Sequence, residues 1–573
     1  MSTFQDKANF IWQVADDILF GTFMHNEFRD VVLPFVVMRR LDSILEGSKD
    51  AVIKTHKQFK GKLAEDKLPP ILLKATKGLK FYNTSDYDMR RLAQTANDIE
   101  INFTNYINGY SENVRDILTN FALTPVVDKL VKNNLLFQLI DKFTEIDLHP
   151  DKVSNHEMGQ IYEELLRRFN EFIGETAGHH YTPREIIKLM SNLLFVEHKD
   201  ALKGKGIIRS LFDPACGTLG MLTVAQEYIH NEINPDIELL MYGQELNEQI
   251  YAVAKSDVLI CGDDAGRIRQ GSSFKDDRFR GNKFDFMLSN PPFGVSWKKE
   301  QEYIENEAND PNGRFSAGLP RINDGALLFL EHMISKMQSP PQGSRIAIIF
   351  NGSPLFTGDA DSGESNIRKW IIENDWLEAI VALPTEMFFN TGIATYIWIV
   401  SNRKPAKRKG KVQLINAVDF CEKMKSSLGN KRYYISDKQI QDVTAIFKAF
   451  KDGEHCRVFD NADFGYTKVT VERPLMEKGK IVKDKQGNPK PDATLRDYER
   501  IPLKENIDEY FKREVLPHVP DAWMDRAKDK IGYEISFTKY FYRYQPLRST
   551  ADIRKDILAL EAETEGMLKD ILK

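Results

Sequence analysis

Asn290, Pro291, Pro292 and Phe293 form a tetrapeptide whose residue types and order describe a chemical clamp. The Asn290 side-chain oxygen and the Pro291 carbonyl, held the same way by the two prolines, can accept both hydrogens of one amino group. Phe293 adds a flat apolar face on which a planar base can stack. Such a constellation suits an exocyclic amine on an aromatic ring. The preceding run Phe284-Asp285-Phe286-Met287-Leu288-Ser289 reads as a buried parallel strand, and the prolines end it. In an open α/β sheet, ligands bind outside the carboxyl ends of the strands. A strand followed by an inert proline-rich turn is the competing reading of so short a motif, so its context decides.

Two upstream segments supply that context. Ile207 to Phe212 reads as a strand, followed by the small-residue loop Asp213-Pro214-Ala215-Cys216-Gly217-Thr218-Leu219-Gly220 and a helix from near Met221. Strand, glycine turn and helix open a nucleotide-binding sheet, where backbone approaches a ligand closely only if side chains are small. The loop lacks GxGxxG spacing and no Walker lysine follows, which disfavours NAD and ATP. Leu239 to Glu245 is a second strand ending on a carboxylate, and Glu245 there can accept both ribose hydroxyls of an adenosine. A ligand with a ribose and no phosphates fits both halves, and S-adenosylmethionine is such a ligand. Earlier still, Tyr181 and Thr182 precede an apolar helical pattern. Thr182 is placed to cap that helix, with Pro183 at its first position and Glu185 at its third. Tyr181 or Thr182 is expected to face the ligand. His179 and His180 are adjacent and lack a carboxylate or thiol at helical spacing, so no metal site is read there.

These segments need a framework, and the bulk numbers bound it. At 573 residues the chain exceeds one core, and two to four domains are expected. Apolar content of 42% and charged content of 28% are ordinary for a soluble globular protein. No run is apolar enough to span a bilayer and the start carries no signal pattern, so a cytoplasmic protein is expected. Four cysteines without CxxC spacing argue against a disulfide framework and against zinc. A net charge of -5 is low for a protein that grips duplex DNA alone; if DNA is bound, a partner supplies much of the grip.

Residues 1–150 read as helical, with Arg39 and Arg40 on a solvated helix edge. Strands alternate with helices from about 180 to 402, including a helix over Ile322 to Ser335. The basic run Arg403 to Lys411 reads as a solvated turn, with a DNA-facing surface as the alternative. Beyond 420 the pattern loosens, and Lys478 to Asp492 reads as an exposed hairpin. Ile553, Ile557, Leu560, Thr564, Met567 and Ile571 then make a heptad-like seam too short to hold a coiled coil alone.

With these pieces in place the sequence resembles the modification (M) subunits of type I restriction-modification systems, adenine-N6 DNA methyltransferases. The resemblance rests on Asn9-Phe10-Ile11-Trp12, Leu33-Pro34-Phe35 with Arg39-Arg40-Leu41-Asp42, Tyr181-Thr182-Pro183-Arg184, Asp213 to Gly220, Asn290 to Phe293, and Gly532-Tyr533-Glu534-Ile535. It implies an α/β fold: a Rossmann-like S-adenosylmethionine-dependent methyltransferase domain over 151–420, an N-terminal helical domain over 1–150, and a C-terminal region over 421–573 ending in a partner-binding helix. It further implies Asn290, Pro291, Pro292 and Phe293 as the catalytic set. Tyr181, Thr182, Asp213, Ala215, Gly217, Thr218, Gly220, Glu245 and Ser272 are implied as cofactor-binding residues, with no metal. In the family two M subunits join a specificity (S) subunit that reads double-stranded DNA, and a restriction (R) subunit can add cleavage. Two positions depart from the pattern. Leu219 stands where the family usually has Gly, and a side chain there could crowd the methionine moiety. Ser272 stands where an acidic residue commonly contacts the adenine.

The expected chemistry is direct transfer of a methyl group to N6 of an adenine flipped out of the duplex. Methylation of RNA or of a protein glutamine amide is the rival within enzymes. A scaffold that has lost cofactor binding and only props a DNA-reading partner is the rival outside them.

Overall fold

The computed structural model describes residues 4–173, 182–261, 263–389, 391–542 and 549–571. Residues 1–535 form one compact unit and 536–573 a second.

The first unit is built on a nine-stranded sheet. Its strands are β1 (Ile208–Asp213), β2 (Glu238–Glu245), β3 (Ile268–Gln270), β4 (Phe286–Ser289), β5 (Arg345–Asn351), β6 (Leu377–Ala382), β7 (Thr395–Ser401) and β8 (Lys411–Asn416). After a small antiparallel hairpin, β9 (Glu422–Leu428) and β10 (Lys431–Tyr434), the ninth strand is β11 (Cys456–Asp460). The order across the sheet is β11-β8-β6-β7-β5-β4-β1-β2-β3. β7 runs antiparallel to both neighbours and β11 is antiparallel to β8, while the other pairs are parallel. Near-continuous apolar runs such as Ile346–Phe350 and Ala379–Leu383 are fully buried, as a sheet covered on both faces requires. The α/β fold class expected from the alternation of strands and helices is the one observed. β1 lies between β4 and β2, so chain order reverses at the β1/β4 boundary. That boundary is where a doubly wound sheet leaves room for a ligand.

Residues 4–148 are helical, as their periodicity predicts; the longest helices there are Phe4–Leu19 and Phe28–Leu45. Their apolar faces merge with the sheet's own core in a continuous cluster reaching from Ile11 to Cys456. Arg39 and Arg40 correct the expectation of a solvated edge, being 3% and 0% exposed. Arg39 Nε donates to the Ile146 carbonyl, and Arg40 donates to the Leu148 and Val153 carbonyls and to Asn155 Oδ1. Two buried arginines therefore satisfy the turn that carries the chain from the helical region towards the sheet, since buried carbonyls need donors.

The basic run 403–411 is also not a solvated turn. Lys404 is buried and bonds Asp375, and Arg408, with no exposed surface, pairs with Glu197 and Glu378 at 3.2 Å each. The Arg408 guanidinium also lies over Phe447 at 4.0 Å and Phe450 at 4.4 Å. Charge density in the sequence marks an internal ion network here, not a DNA-facing surface.

Beyond β11 the chain is more ordered than its composition suggests. β12 (Gly465–Glu472) is flanked by β15 (Asp497–Pro502) and β16 (Trp523–Tyr533) in an antiparallel sheet; the excursion between them carries the short exposed hairpin β13 (Met476–Glu477) and β14 (Lys480–Ile481). In the second unit, the Thr550–Ile571 helix displays Ile553, Ile557 and Leu560 at 43, 60 and 66% exposure. Among the described residues no helix is long and apolar enough to cross a membrane.

Candidate active site

The residues singled out in the sequence converge at the carboxyl ends of β1, β2, β3 and β4. Asp213 ends β1 and is fully buried. Its Oδ1 accepts the Ala215 N–H at 2.9 Å, which turns the loop, and the Ser289 hydroxyl at 2.6 Å. Because Ser289 is the last residue of β4, that bond fastens the cofactor-type loop to the strand that presents Asn290. Asp213 Oδ2 is buried and has no partner. Burial pushes this carboxyl up to about 7, against the opposing effect of the Ser289 and Ala215 hydrogen bonds.

Glu245 ends β2, 9% exposed, and is not the ordinary surface carboxylate that a lone strand-end glutamate would be. Its Oε2 accepts the Gly217 N–H at 3.0 Å and its Oε1 the Asn247 N–H at 2.8 Å. A carboxylate has about four acceptor positions, so capacity for two hydroxyls remains. Burial raises its pKa, with the backbone N–H bonds pulling the other way. The 214–219 loop is thus held at both ends, by Asp213 and by Glu245, with Gly217 at φ +53° supplying the left-handed bend. Thr218 is 9% exposed and Gly220 opens the Gly220–Glu232 helix.

Leu219 adopts φ +71° immediately before that helix. Its side chain is fully buried in the main core, packed towards Gly243 of β2. A Cβ at Gly243 would lie 2.8 Å from Cys216 Sγ and 3.2 Å from Leu219 Cδ2, so the missing side chain on β2 is what admits Cys216 and Leu219. The crowding expected of a leucine in the loop is relieved by turning it inward.

Ser272 follows β3. Its hydroxyl accepts the Phe274 and Lys275 N–H groups at 3.2 and 3.3 Å and so caps the local turn. The neighbouring Gly271 N–H donates to the Glu245 carbonyl at 3.0 Å, placing this loop beside β2.

Asn290 leaves β4 with Pro291 buried and Pro292 and Phe293 half-buried. The Asn290 Nδ2 donates to Thr182 Oγ1 at 2.9 Å, and the Asn290 Oδ1 is buried without a partner. Thr182 is therefore not the helix cap expected from the sequence. The Arg184–Phe195 helix starts one residue later than a Pro183 start, with Pro183 at the N-cap and no side-chain cap. The threonine hydroxyl is committed to Asn290 instead. Tyr181, His179 and His180 lie outside the described residues.

Three further residues hold the clamp and were not legible in the sequence. Asp324 Oδ1 accepts the N–H groups of Gly294 and Ala326, and Trp297 Nε1 donates to the Arg321 carbonyl. This use of 321–325 explains why the following helix is Ala326–Ser335 and not the longer one expected from Ile322. Arg314 donates to the Ser273 and Phe274 carbonyls and to both oxygens of Glu307. Trp297 and Phe274 share a small core with Phe315 and Leu328. The loops after β3 and β4 are thereby tied into one body.

A family model described as N-6 DNA Methylase matches residues 153–469, more than half of the chain. The chain belongs to the N-6 DNA Methylase family. Residues 7–143 match the HsdM N-terminal domain, so the family resemblance read from the sequence is borne out. The type I restriction enzyme MjaIX methylase subunit of Methanocaldococcus jannaschii is 29% identical over 65% of this chain and 62% of its own length. The HindI methylase subunit of Haemophilus influenzae is 30% identical over 50% of this chain and 57% of its own. This chain thus spans less than two thirds of those relatives. A solved type I methyltransferase subunit from Streptococcus thermophilus superposes with a TM-score of 0.61 at 20% identity, over 81% of this chain and 97% of that one, and shares the fold.

Leu219→Gly relieves a left-handed leucine worth ~1 kcal/mol but vacates core packing worth ~2–3 kcal/mol. It should therefore lower stability in urea unfolding and leave S-adenosylmethionine affinity unchanged in calorimetry; a gain in affinity would show that the leucine intrudes on the pocket. The Asp213 carboxyl, at about 7 when folded and ~3.9 when unfolded, binds its proton more tightly in the folded chain. Its contribution makes folding less favourable as pH rises from about 4 to about 7, by up to ~1.4 kcal/mol per unit. Asp213→Asn should flatten that part of the pH-stability profile, and an unchanged slope would mean that Asp213 stays ionised when folded.

Proposed function

We propose that this chain is the modification subunit of a type I restriction-modification complex and transfers a methyl group from S-adenosylmethionine to N6 of a flipped adenine in double-stranded DNA. The observation that carries the reading is the buried, unpartnered Asn290 Oδ1 at the carboxyl end of β4, beside the loop held by Asp213 and Glu245. A buried acceptor without a donor is costly, and an amino group on a ligand supplies the donor.

S-adenosylmethionine brings an electrophilic sulfonium methyl group. Ala215, Gly217, Thr218 and Gly220 offer it backbone at close approach, Glu245 accepts the ribose hydroxyls, and the Ser272 hydroxyl donates to the adenine ring in place of the family's acidic residue. Tyr181 and Thr182 cover the pocket. Asn290 Oδ1 and the Pro291 carbonyl accept the two hydrogens of the target amine, which localises the nitrogen lone pair and aims it at the methyl. Pro292 fixes the backbone and Phe293 stacks on the base. Thr182 fixes the Asn290 amide so that oxygen, not nitrogen, faces the amine. Orientation and fixed dipoles provide the acceleration.

The partners in this reading are DNA, an S subunit, a second copy of this chain in an M2S complex, and an R subunit where DNA is cut. Residues 1–150 and 421–573 act as the docking regions around a 151–420 catalytic domain, with the exposed seam at Ile553, Ile557 and Leu560 seated on a partner helix. The cytoplasm is its place of work. The scaffold alternative loses its main support now that Leu219 is turned into the core.

Asn290→Ala should reduce methyl transfer to adenine-containing DNA at least 1000-fold while S-adenosylmethionine still binds in calorimetry. Thr182→Val, which removes the partner that orients the amide, should lower kcat roughly 10- to 100-fold with little change in KM for DNA. Loss of cofactor binding in Asn290→Ala, or full activity in it, would overturn the assignment.

A further inference from the structure

We propose that a cavity at the amino-terminal end of the sheet, opposite the candidate active site, is a binding site for a phosphate group. It is lined by His198, Arg209, Asp285, Ser344, Arg345 and Arg403, with a volume of about 140 Å³. Arg209 lies near the start of β1, Asp285 just before β4, Ser344 and Arg345 at the start of β5, and Arg403 just after β7. Four strands that build the catalytic sheet therefore meet at this cavity.

The decisive group is Arg345. It is 1% exposed, and its Nε and Nη1 have no hydrogen-bond partner. Its Nη2 lies 3.1 Å from Glu378 Oε1, an oxygen that also sits 3.2 Å from Arg408. One carboxylate is thus shared by two guanidinium groups and cannot balance both. A buried guanidinium with two unmet donors is expensive, and its planar fork matches two oxygens of a tetrahedral anion. The remaining lining agrees in sign. Three arginines face one aspartate, and the Asp285 Oδ2 is already engaged by the Ser210 N–H and hydroxyl at 2.8 and 2.7 Å. Arg209 approaches the other oxygen no closer than 3.9 Å, and Arg403 reaches the Gln342 carbonyl from the rim. His198 is held neutral, pushed down to about 4 by burial and by Arg345 and Arg403, so it adds a polar contact without a second cost of charge burial.

The volume admits a phosphate with a few waters and excludes a whole nucleotide. The group would enter either as free phosphate or as the terminal phosphate of a nucleotide whose base stays outside. A ligand bridging β1, β4, β5 and β7 stabilises the folded chain by mass action and so ties the catalytic sheet to phosphate supply.

The test is calorimetric titration of the full chain with inorganic phosphate, and separately with AMP, at constant ionic strength set by chloride. Wild type should give saturable one-site binding with either phosphate or AMP. Arg209→Gln and Arg403→Gln, both at the cavity rim, should each weaken it at least tenfold. Arg345→Lys keeps the charge against Glu378 but loses the fork, and should also weaken it at least tenfold. S-adenosylmethionine binding, measured in parallel, should be unchanged in the two rim variants. Preference for one titrant identifies the source of the phosphate. No saturable binding of either, or equal binding in wild type and all three variants, would overturn the proposal.

Discussion

The hydrogen bond from the Ser289 hydroxyl to Asp213 Oδ1 spans the one boundary in the sheet where chain order reverses. It is short, 2.6 Å, and fully buried, and its two ends belong to the loop that suits a cofactor and to the strand that presents Asn290. Methyl transfer in line between two bound molecules demands that donor and acceptor sites keep a fixed separation. A bond within the sheet, between adjacent parallel strands, meets that demand better than contacts between mobile loops. The rest of the site hangs on it: Ala215 is turned by the same carboxylate, Gly217 is anchored by Glu245 on the next strand, and Asn290 is aligned by Thr182 from the segment leading into the Arg184–Phe195 helix.

The supporting shell serves the same end. Asp324 and Trp297 fasten the backbone that follows Phe293, and Arg314 clasps the loop after β3. The small core shared by Phe274 and Trp297 means that neither loop moves without the other. In the proposed reaction, cofactor contact at Ser272 and base contact at Phe293 are felt by a common body, a physical route by which one ligand orders the site for the next.

Much of this was legible in the sequence because the signals are local. Asp213, Gly217, Glu245 and Asn290 each follow an apolar strand-like run, and strand ends in a parallel sheet are site positions by geometry alone. The alternation of strands and helices and the N-terminal helical region followed from period and composition. What was not legible depended on distant partners. Thr182 has the residue type, the following proline and the glutamate of a helix cap, yet its hydroxyl is taken by an asparagine more than a hundred residues away. Arg39, Arg40 and Arg408 look like surface charge in a string of letters, and only the carbonyls of 146–153 and the carboxylates of Glu197 and Glu378 make them internal. Leu219 looked intrusive until the absence of a side chain at Gly243 gave it somewhere to go. Asp324 and Arg314 carry no local pattern at all.

Whether an amine on adenine is the acceptor at Asn290 decides the function. The most direct measurement is mass spectrometry of nucleosides from duplex DNA incubated with this chain, its specificity subunit and isotopically labelled S-adenosylmethionine. Label is expected in N6-methyladenine and in no other nucleoside. Label in a methylated cytosine, or DNA that stays unlabelled while the protein binds the cofactor, would contradict the proposed chemistry.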